Sequence, residues 1–449
     1  MSDVPTGPDF PHLDRRTFLR VGALGMTAAA AALAAGCGDG PRDPGVPPLP
    51  GGNAVADDAA TWRVRGNPLP APAGPAPDLT VAVTDLLAVE GQRIGAGNPA
   101  WLGQAAAETA TAESLDRLLA GGAVMAGIAQ TTDFGFGHSG VNAAYGTPPN
   151  PAAPGRVPGG STSGAATAVA RGIAKAGIGP DTTGSVRIPA AYQGLYGFGP
   201  TLGAVSTAGM LPLSRTFDTL GWLAADAATV AAVGDLLLPR TGNVDFDAAV
   251  TSPGLNAVAD HRVQPAIRDA HAQWRRSALP TLTDEDFDIA ALPDWYDAVV
   301  AVQGYEAWQQ HGGWVSTATG TVGDEARANF LAASRVSEAT YLRSVDEVRT
   351  AGEEVRRFLG SRVLLLPTTG SPAPSRADDP ADIRLAALLR TTGLLTTVAS
   401  IAGLPTATVP VRTADGAPVG LSLVGPAGRD RDVLALAERV AGTGVVARA

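Results

Sequence analysis

The stretch Gly159-Gly160-Ser161-Thr162-Ser163-Gly164 is followed, one helix and one strand later, by Asp181-Thr182-Thr183-Gly184-Ser185-Val186-Arg187-Ile188-Pro189. No other feature constrains this chain as much. Glycine adopts backbone angles that a Cβ forbids and lets neighbouring backbone approach closely. Two such clusters between apolar runs predict tight loops wedged against a packed interior. Each offers several backbone N–H groups, and the first opens a helical run, an arrangement that can hold an anion. A phosphate-binding loop is disfavoured, because no Gly-Lys-Ser/Thr follows. Neither cluster is a Gly-x-Ser-x-Gly nucleophile elbow. There is no His-Glu-x-x-His, and the five histidines are scattered, so zinc chemistry has no support.

The surrounding chain is that of a folded α/β protein. Of 449 residues, 45% are hydrophobic and 17% charged, which provides for a core rather than disorder. The 55 glycines and 36 prolines show no triplet period, which excludes collagen. A net charge of −10 argues against nucleic acid as a partner. Strands are predicted at Leu79–Val83, Ala123–Ile128, Ala176–Gly179, Val363–Pro367, Thr406–Val411 and Val419–Val424. Helices are predicted at Glu108–Ala120, Ala165–Ile173, Ala224–Leu238, through most of 264–360 including Asp324–Leu359, at Ala387–Ala402 and at Asp430–Ala441. Residues 134–164 read as a long ordered loop. Alternating strands and helices imply an α/β architecture.

The N-terminus reads as an address. Arg15-Arg16 precede a mildly apolar run, Val21–Gly36, too short for a permanent membrane span. The pattern resembles a twin-arginine export signal, although Asp14 replaces the usual Ser or Thr. The run ends Leu33-Ala34-Ala35-Gly36-Cys37, similar to a lipoprotein cleavage box, and Cys37 is the chain's only cysteine. The expected organisation is a signal over 1–37, a Gly/Pro-rich tether over 38–60 and one domain over 61–449. The expected location is extracytoplasmic, anchored to the membrane by a lipid on Cys37. A single cysteine excludes an intrachain disulfide.

The two Gly/Ser segments together resemble the amidase signature family. Val81-Ala82-Val83 with Asp85, Asn150-Pro151, Pro200-Thr201, Phe217-Asp218-Thr219, Ala402-Gly403-Leu404-Pro405 and Pro418-Val419-Gly420-Leu421 extend the match over most of the chain. Gly97-Asn98-Pro99-x-Trp101 and Tyr145-Gly146-Thr147 are similar to the plant indole-acetamide hydrolase branch, which also holds an amidase-like chloroplast import receptor. The resemblance implies a large twisted mixed sheet wrapped by helices, and serine hydrolysis of small carboxamides without metal or cofactor. It further implies that Ser185 is the nucleophile and that Ser161, in a cis peptide, relays the proton. Backbone N–H groups of Thr182, Thr183, Gly184 and Ser185 would hold the oxyanion, while Asp181 and Arg187 brace the loop. Substrate-selecting residues would lie within 264–360.

The chain departs from that pattern where the chemistry is most demanding. The family's lysine base falls at Thr84, and a threonine hydroxyl relays a proton without being able to keep one at neutral pH. The one lysine of the chain, Lys175, begins a strand whose far end leads to Ser185, so it should lie at the wrong edge of the sheet. Thr183 replaces a glycine, Pro180 a threonine, and Asp133 a common Glu, while Gly199 stands where Lys or Arg is common. His138 is a possible substitute base, and Ser139 and Ser163 read as loop-bracing serines. Two readings follow: a hydrolase impaired for amides but able to cleave esters, or an exported pseudoamidase that binds a ligand or partner.

Overall fold

The computed structural model describes residues 58–66, 69–70, 78–240, 244–376 and 383–446. The segment read from sequence as an export signal, with Cys37, and the part of the expected tether up to residue 57 lie outside them. The strands, in chain order, are β1 (Trp62–Arg65), β2 (Thr80–Thr84), β3 (Val124–Ala129), β4 (Ala176–Pro180), β5 (Tyr196–Gly199), β6 (Leu220–Ala224), β7 (Ala248–Thr251), β8 (Thr281–Asp284), β9 (Val363–Pro367), β10 (Thr406–Arg412) and β11 (Pro418–Val424). They form one mixed sheet in the order β1-β3-β2-β4-β6-β5-β10-β11-β9-β7-β8. β2 runs parallel to both β3 and β4, while β4 and β6 are antiparallel.

The helices are α1 (Pro99–Gln104), α2 (Glu113–Ala120), α3 (Ser163–Ala170), α4 (Arg187–Gln193), α5 (Ala227–Leu237), α6 (Pro253–Val258), α7 (Val263–Arg276), α8 (Leu292–Ala318), α9 (Asp324–Ala333), α10 (Glu338–Leu359), α11 (Ile383–Ser400) and α12 (Asp430–Ala441). This is the α/β architecture expected from the sequence, with several boundaries displaced for local reasons. The helix predicted from Glu108 begins at Glu113, because residues 107–112 pair with 88–93 instead, as in Glu108 N–H to Gln92 O at 2.7 Å. Ala224 ends β6, and α5 starts only after Asp226, whose carboxylate caps the Thr229 N–H at 2.7 Å. Asp324–Leu359 is two helices, the second restarted by the Ser337 cap. Strands β1, β5, β6, β7 and β8 were not anticipated; each is only four or five residues long.

The site lies at one edge of this sheet. Thr84, Ala129 and Pro180 end the three neighbouring parallel strands β2, β3 and β4 on the same side. Ala165, Ala166, Ala168 and Val169 leave α3 almost wholly apolar, and it is buried accordingly. Small residues let it lie directly on backbone. A Cβ on Gly164 would come within 2.5 Å of Thr61 O and 2.7 Å of Gln130 N and O. The start of α3, and with it Ser161, is thereby pressed onto the end of β3.

Gly164→Ala should therefore cost about 1–3 kcal/mol, since backbone cannot yield as a side chain does. Thermal unfolding of the variant checks this. Gly313→Ala, in α8 with open space around its Cβ position, serves as the control and should unfold no earlier than the parent.

Candidate active site

Residues 181–186 carry the chain from β4 into α4, and Asp181 shapes the turn. Its Oδ1 accepts the N–H groups of Val186 at 2.7 Å and Arg187 at 3.3 Å, and its Oδ2 accepts Arg187 Nε at 2.6 Å. Both side chains are buried, and Arg187 reaches on to Ser400 Oγ at 2.8 Å. A Cβ at Gly199 would lie 2.2 Å from Asp181 Oδ2, so this pair leaves room only for glycine beside it. Asp181 and Arg187 thus hold the loop by these hydrogen bonds. Thr182 is anchored through its side chain, with Oγ1 donating to Asp218 Oδ1 at 2.8 Å. Asp218 also accepts the N–H groups of Leu213 and Ser214, while burial pushes its carboxyl up to about 6.

The backbone of this turn is left open. Val186 and Arg187 donate to Asp181, but the N–H groups of Thr182, Thr183, Gly184 and Ser185 reach no acceptor among the described residues. Gly184 has φ +116°, and a Cβ there would meet Thr396 Cγ2 at 2.9 Å. Thr183, where the family pattern has a glycine, is not among the residues with positive φ, so its side chain adds no left-handed backbone strain to the loop. Its hydroxyl instead lies 3.1 Å from His138 Nε2.

The second loop joins the first through backbone. Thr162 N–H donates to Ser185 O at 3.2 Å, and Thr131 Oγ1 donates to Ser161 O at 2.9 Å. The Gly160–Ser161 peptide is cis. Thr84, at the end of β2, is fully buried. A Cβ on Gly179 would touch Thr84 Oγ1 and Thr162 Oγ1, each at 2.6 Å, which puts the Thr84 side chain under the loop of Ser161. The hydroxyls of Thr84, Ser161 and Ser163 are buried and have no hydrogen-bond partner. Ser163 is therefore not a hydrogen-bonding brace in this structure. Lys175 lies at the opposite end of β4, half exposed and paired with Asp78.

Glu325 and Phe134 are contributors that were not singled out from sequence. Glu325, on the first turn of α9, accepts His138 N–H at 2.9 Å and Ser139 N–H at 3.3 Å, and takes the Ser139 hydroxyl as well. Burial holds its carboxyl above the usual range. Nothing in the polar helical stretch marks this glutamate among its neighbours. Asp133 accepts Asn98 Nδ2 at 2.9 Å, which fixes the start of α1 near the site. Beside Gly135, whose Cβ would approach Ser161 Oγ to 3.4 Å, Phe134 packs on Trp101, Trp314, His311 and Phe330. Of the tryptophans, Trp222 and Trp295 belong to the core and Trp101 and Trp314 to this aromatic cluster.

Removing Asp181 would strand a buried guanidinium and two N–H groups, so Asp181→Leu should cost about 3–5 kcal/mol. In chemical denaturation, the double substitution Asp181→Leu with Arg187→Met should cost less than Asp181→Leu alone.

Comparison with known proteins bears on the family and the fold. The model of the amidase family matches residues 55–261 and 312–434. Amidase 1 of Arabidopsis thaliana is 32% identical over 399 residues, covering 81% of this chain and 92% of its own length. Indoleacetamide hydrolase of Pseudomonas syringae pv. syringae is 33% identical over 384 residues, covering 79% and 82%. The crystal structure of an amidase superposes with a TM-score of 0.74 at 26% identity, over 86% of this chain and 92% of that one. The fold, the paired serine loops and these matches together make the chain a member of the amidase family.

Proposed function

We propose that this protein is a serine hydrolase of small carboxamides in which Ser185 is the nucleophile and Ser161 the relay, and that Thr84 leaves its turnover of amides impaired. The observation that carries this reading is the set of unclaimed N–H groups at Thr182, Thr183, Gly184 and Ser185. Four donors around one serine suit a carbonyl oxygen that gains charge as the serine attacks. Each such donor is typically worth about 3 kcal/mol in the transition state. Ser185 Oγ would bond to the carbonyl carbon and lose its proton, and the C–N bond would then break as the nitrogen is protonated. Water would release the acyl group by the same route in reverse.

The proton is the difficulty. A neutral amine at position 84 could store it, whereas the Thr84 hydroxyl can pass one on only by receiving another. An amine is a poor leaving group and departs only when protonated, while an ester alkoxide needs less help. Esters should therefore turn over where amides barely do.

The test is amide and ester hydrolysis by the parent, Thr84→Lys and Ser185→Ala. Ester cleavage should vanish in Ser185→Ala, and Thr84→Lys should raise amide turnover about 10²-fold or more. Amide turnover by the parent at the level of Thr84→Lys would remove the impairment from the reading. Silence in all three folded proteins would remove the hydrolase itself and leave a ligand-binding or interaction protein.

We further propose export by the twin-arginine route and anchoring through a lipid on Cys37, supported by Arg15-Arg16, the apolar run and the position of the single cysteine. Among the described residues no helix is long and apolar enough to cross a membrane. Cys37→Ser should move the protein from the membrane fraction to the soluble one on cell fractionation.

A further inference from the structure

Two side chains that the chemistry above leaves idle touch each other inside the site. His138 Nε2 lies 3.1 Å from Thr183 Oγ1, and Thr183 is separated from Ser185 only by Gly184. The histidine does not reach this position by chance of a loose loop. Its own N–H is held by Glu325 Oε1 at 2.9 Å, and its carbonyl accepts the Gly160 N–H at 2.8 Å. The next carbonyl, Ser139 O, accepts the Gly159 N–H at 3.1 Å. Residues 138 and 139 thus grip the loop of Ser161 by backbone, while the imidazole grips the loop of Ser185 by side chain. A Cβ on Gly137 would strike the Glu325 carboxylate at 2.7 Å, and one on Gly140 would strike Gly159 O at 2.4 Å, so the connection is tight on both sides.

We propose that, because the path through Ser161 ends at Thr84, which cannot keep a proton, His138 is the proton acceptor of this site and the Thr183 hydroxyl the relay to it. The inference deepens the Ser185 reading and rests on it. In the resting structure Thr183 Oγ1 bonds to His138, and the path adds a bond from Ser185 Oγ to Thr183 Oγ1 once substrate is bound. As Ser185 Oγ then bonds to a carbonyl carbon, its proton passes to Thr183 Oγ1, and the Thr183 proton passes to His138 Nε2. The imidazolium returns a proton by the same path to the departing alkoxide or amine as the acyl carbon–oxygen or carbon–nitrogen bond breaks. No other reactant is needed until water hydrolyses the acyl-enzyme. A hydroxyl paired with an imidazole at hydrogen-bond distance is the arrangement that activated nucleophiles share. Here the hydroxyl in contact belongs to the relay.

The groups that face His138 are Asp181 and Arg187, with Glu325 bound to its backbone N–H. Burial outweighs them and pushes the imidazole down to about 4, with Asp181 opposing and Arg187 assisting. The ring is therefore neutral and ready to accept throughout the neutral range. A base so weak takes a proton reluctantly, but its conjugate acid gives it up readily. Departure of the leaving group is then well served and attack by the serine is the harder step, which the more electrophilic carbonyl of an ester eases, in keeping with esters before amides.

The test measures the rate at which a fluorophosphonate labels the full chain, with fold checked by circular dichroism. The serine displaces fluoride from phosphorus, so the readout reports activation of the nucleophile alone. His138→Ala should label about 10²-fold or more slowly, and added imidazole should restore much of the lost rate. Thr183→Val should be as slow and unmoved by imidazole, whereas Thr183→Ser should label near the parental rate. The parental rate should fall with an inflection near pH 4 that His138→Ala lacks. Parental rates in folded His138→Ala and Thr183→Val, with Ser185→Ala unlabelled, would overturn the relay and leave the Ser185 reading standing. If His138→Ala fails to fold, parental labelling of Thr183→Val overturns the relay on its own. A parent that labels no faster than Ser185→Ala would overturn both.

Discussion

The buried ion pair of Asp181 and Arg187 determines where everything else in the site can be. One carboxylate collects the N–H groups of Val186 and Arg187 and the guanidinium of Arg187, so the chain leaves β4, turns once and enters α4 in a single geometry. Because those two N–H groups are consumed by Asp181, the four before them point elsewhere. The open donors around Ser185 are thus a consequence of the pair rather than a separate design. The pair costs desolvation and returns shape. Its demand for space also extends outward: Gly199 and Gly221 must stay small, with Cβ positions 2.2 Å from Asp181 Oδ2 and 3.1 Å from Asp181 Cβ.

The end of β2 is held by packing rather than by hydrogen bonds of its side chain. Thr84 is β-branched and sits in a strand between β3 and β4, where such residues pack well. A Cβ on Gly179 would meet the hydroxyl oxygens of Thr84 and Thr162 at 2.6 Å each, so that neighbour has to stay small. What the position lacks is a hydrogen-bond partner. Ser161 Oγ and Thr84 Oγ1 are buried with no partner, and buried hydroxyls in that condition cost about 1–3 kcal/mol each. A structure keeps such a cost only where the surrounding loops are fixed for other reasons. Here those reasons are visible in the backbone bonds from Thr162 to Ser185 and from Thr131 to Ser161.

Much of the framework was legible in the residues because local signals and tertiary demands coincide there. The runs at β2, β3, β4, β9, β10 and β11 are apolar enough to be buried on both faces, and the glycines of the two serine loops mark places where backbone meets backbone. The short strands escaped notice because four residues such as Tyr196–Gly199 carry no periodicity, and pairing with β6 and β10 alone makes them strands. Glu108–Ala112 had helical spacing yet is not helical, since Glu108 and Ala112 bond to partners at 88–92 instead of within a helix. In the site, Ser161, Ser185, Asp181 and Arg187 could be read from the motifs, and the distant position of Lys175 from strand direction. Glu325 could not be read, because its meaning lies in a contact across 186 residues of chain with Ser139.

That contact gives the helical region between β8 and β9 a role beyond covering the sheet. α9 presents Glu325 to the N–H groups of His138 and Ser139, and Asn329, one turn further, donates to Phe136 O at 3.0 Å. α8 adds His311 to the aromatic cluster beside Phe134. The same short segment, 133–140, therefore receives its support from α8 and α9 on one side and passes it to Gly159, Gly160 and Thr183 on the other. A change in the packing of those helices would move both serine loops together, since the segment bonds to each. The region least marked by sequence motifs thereby supports the geometry of the region most marked by them, with the segment 133–140 as the link between the two.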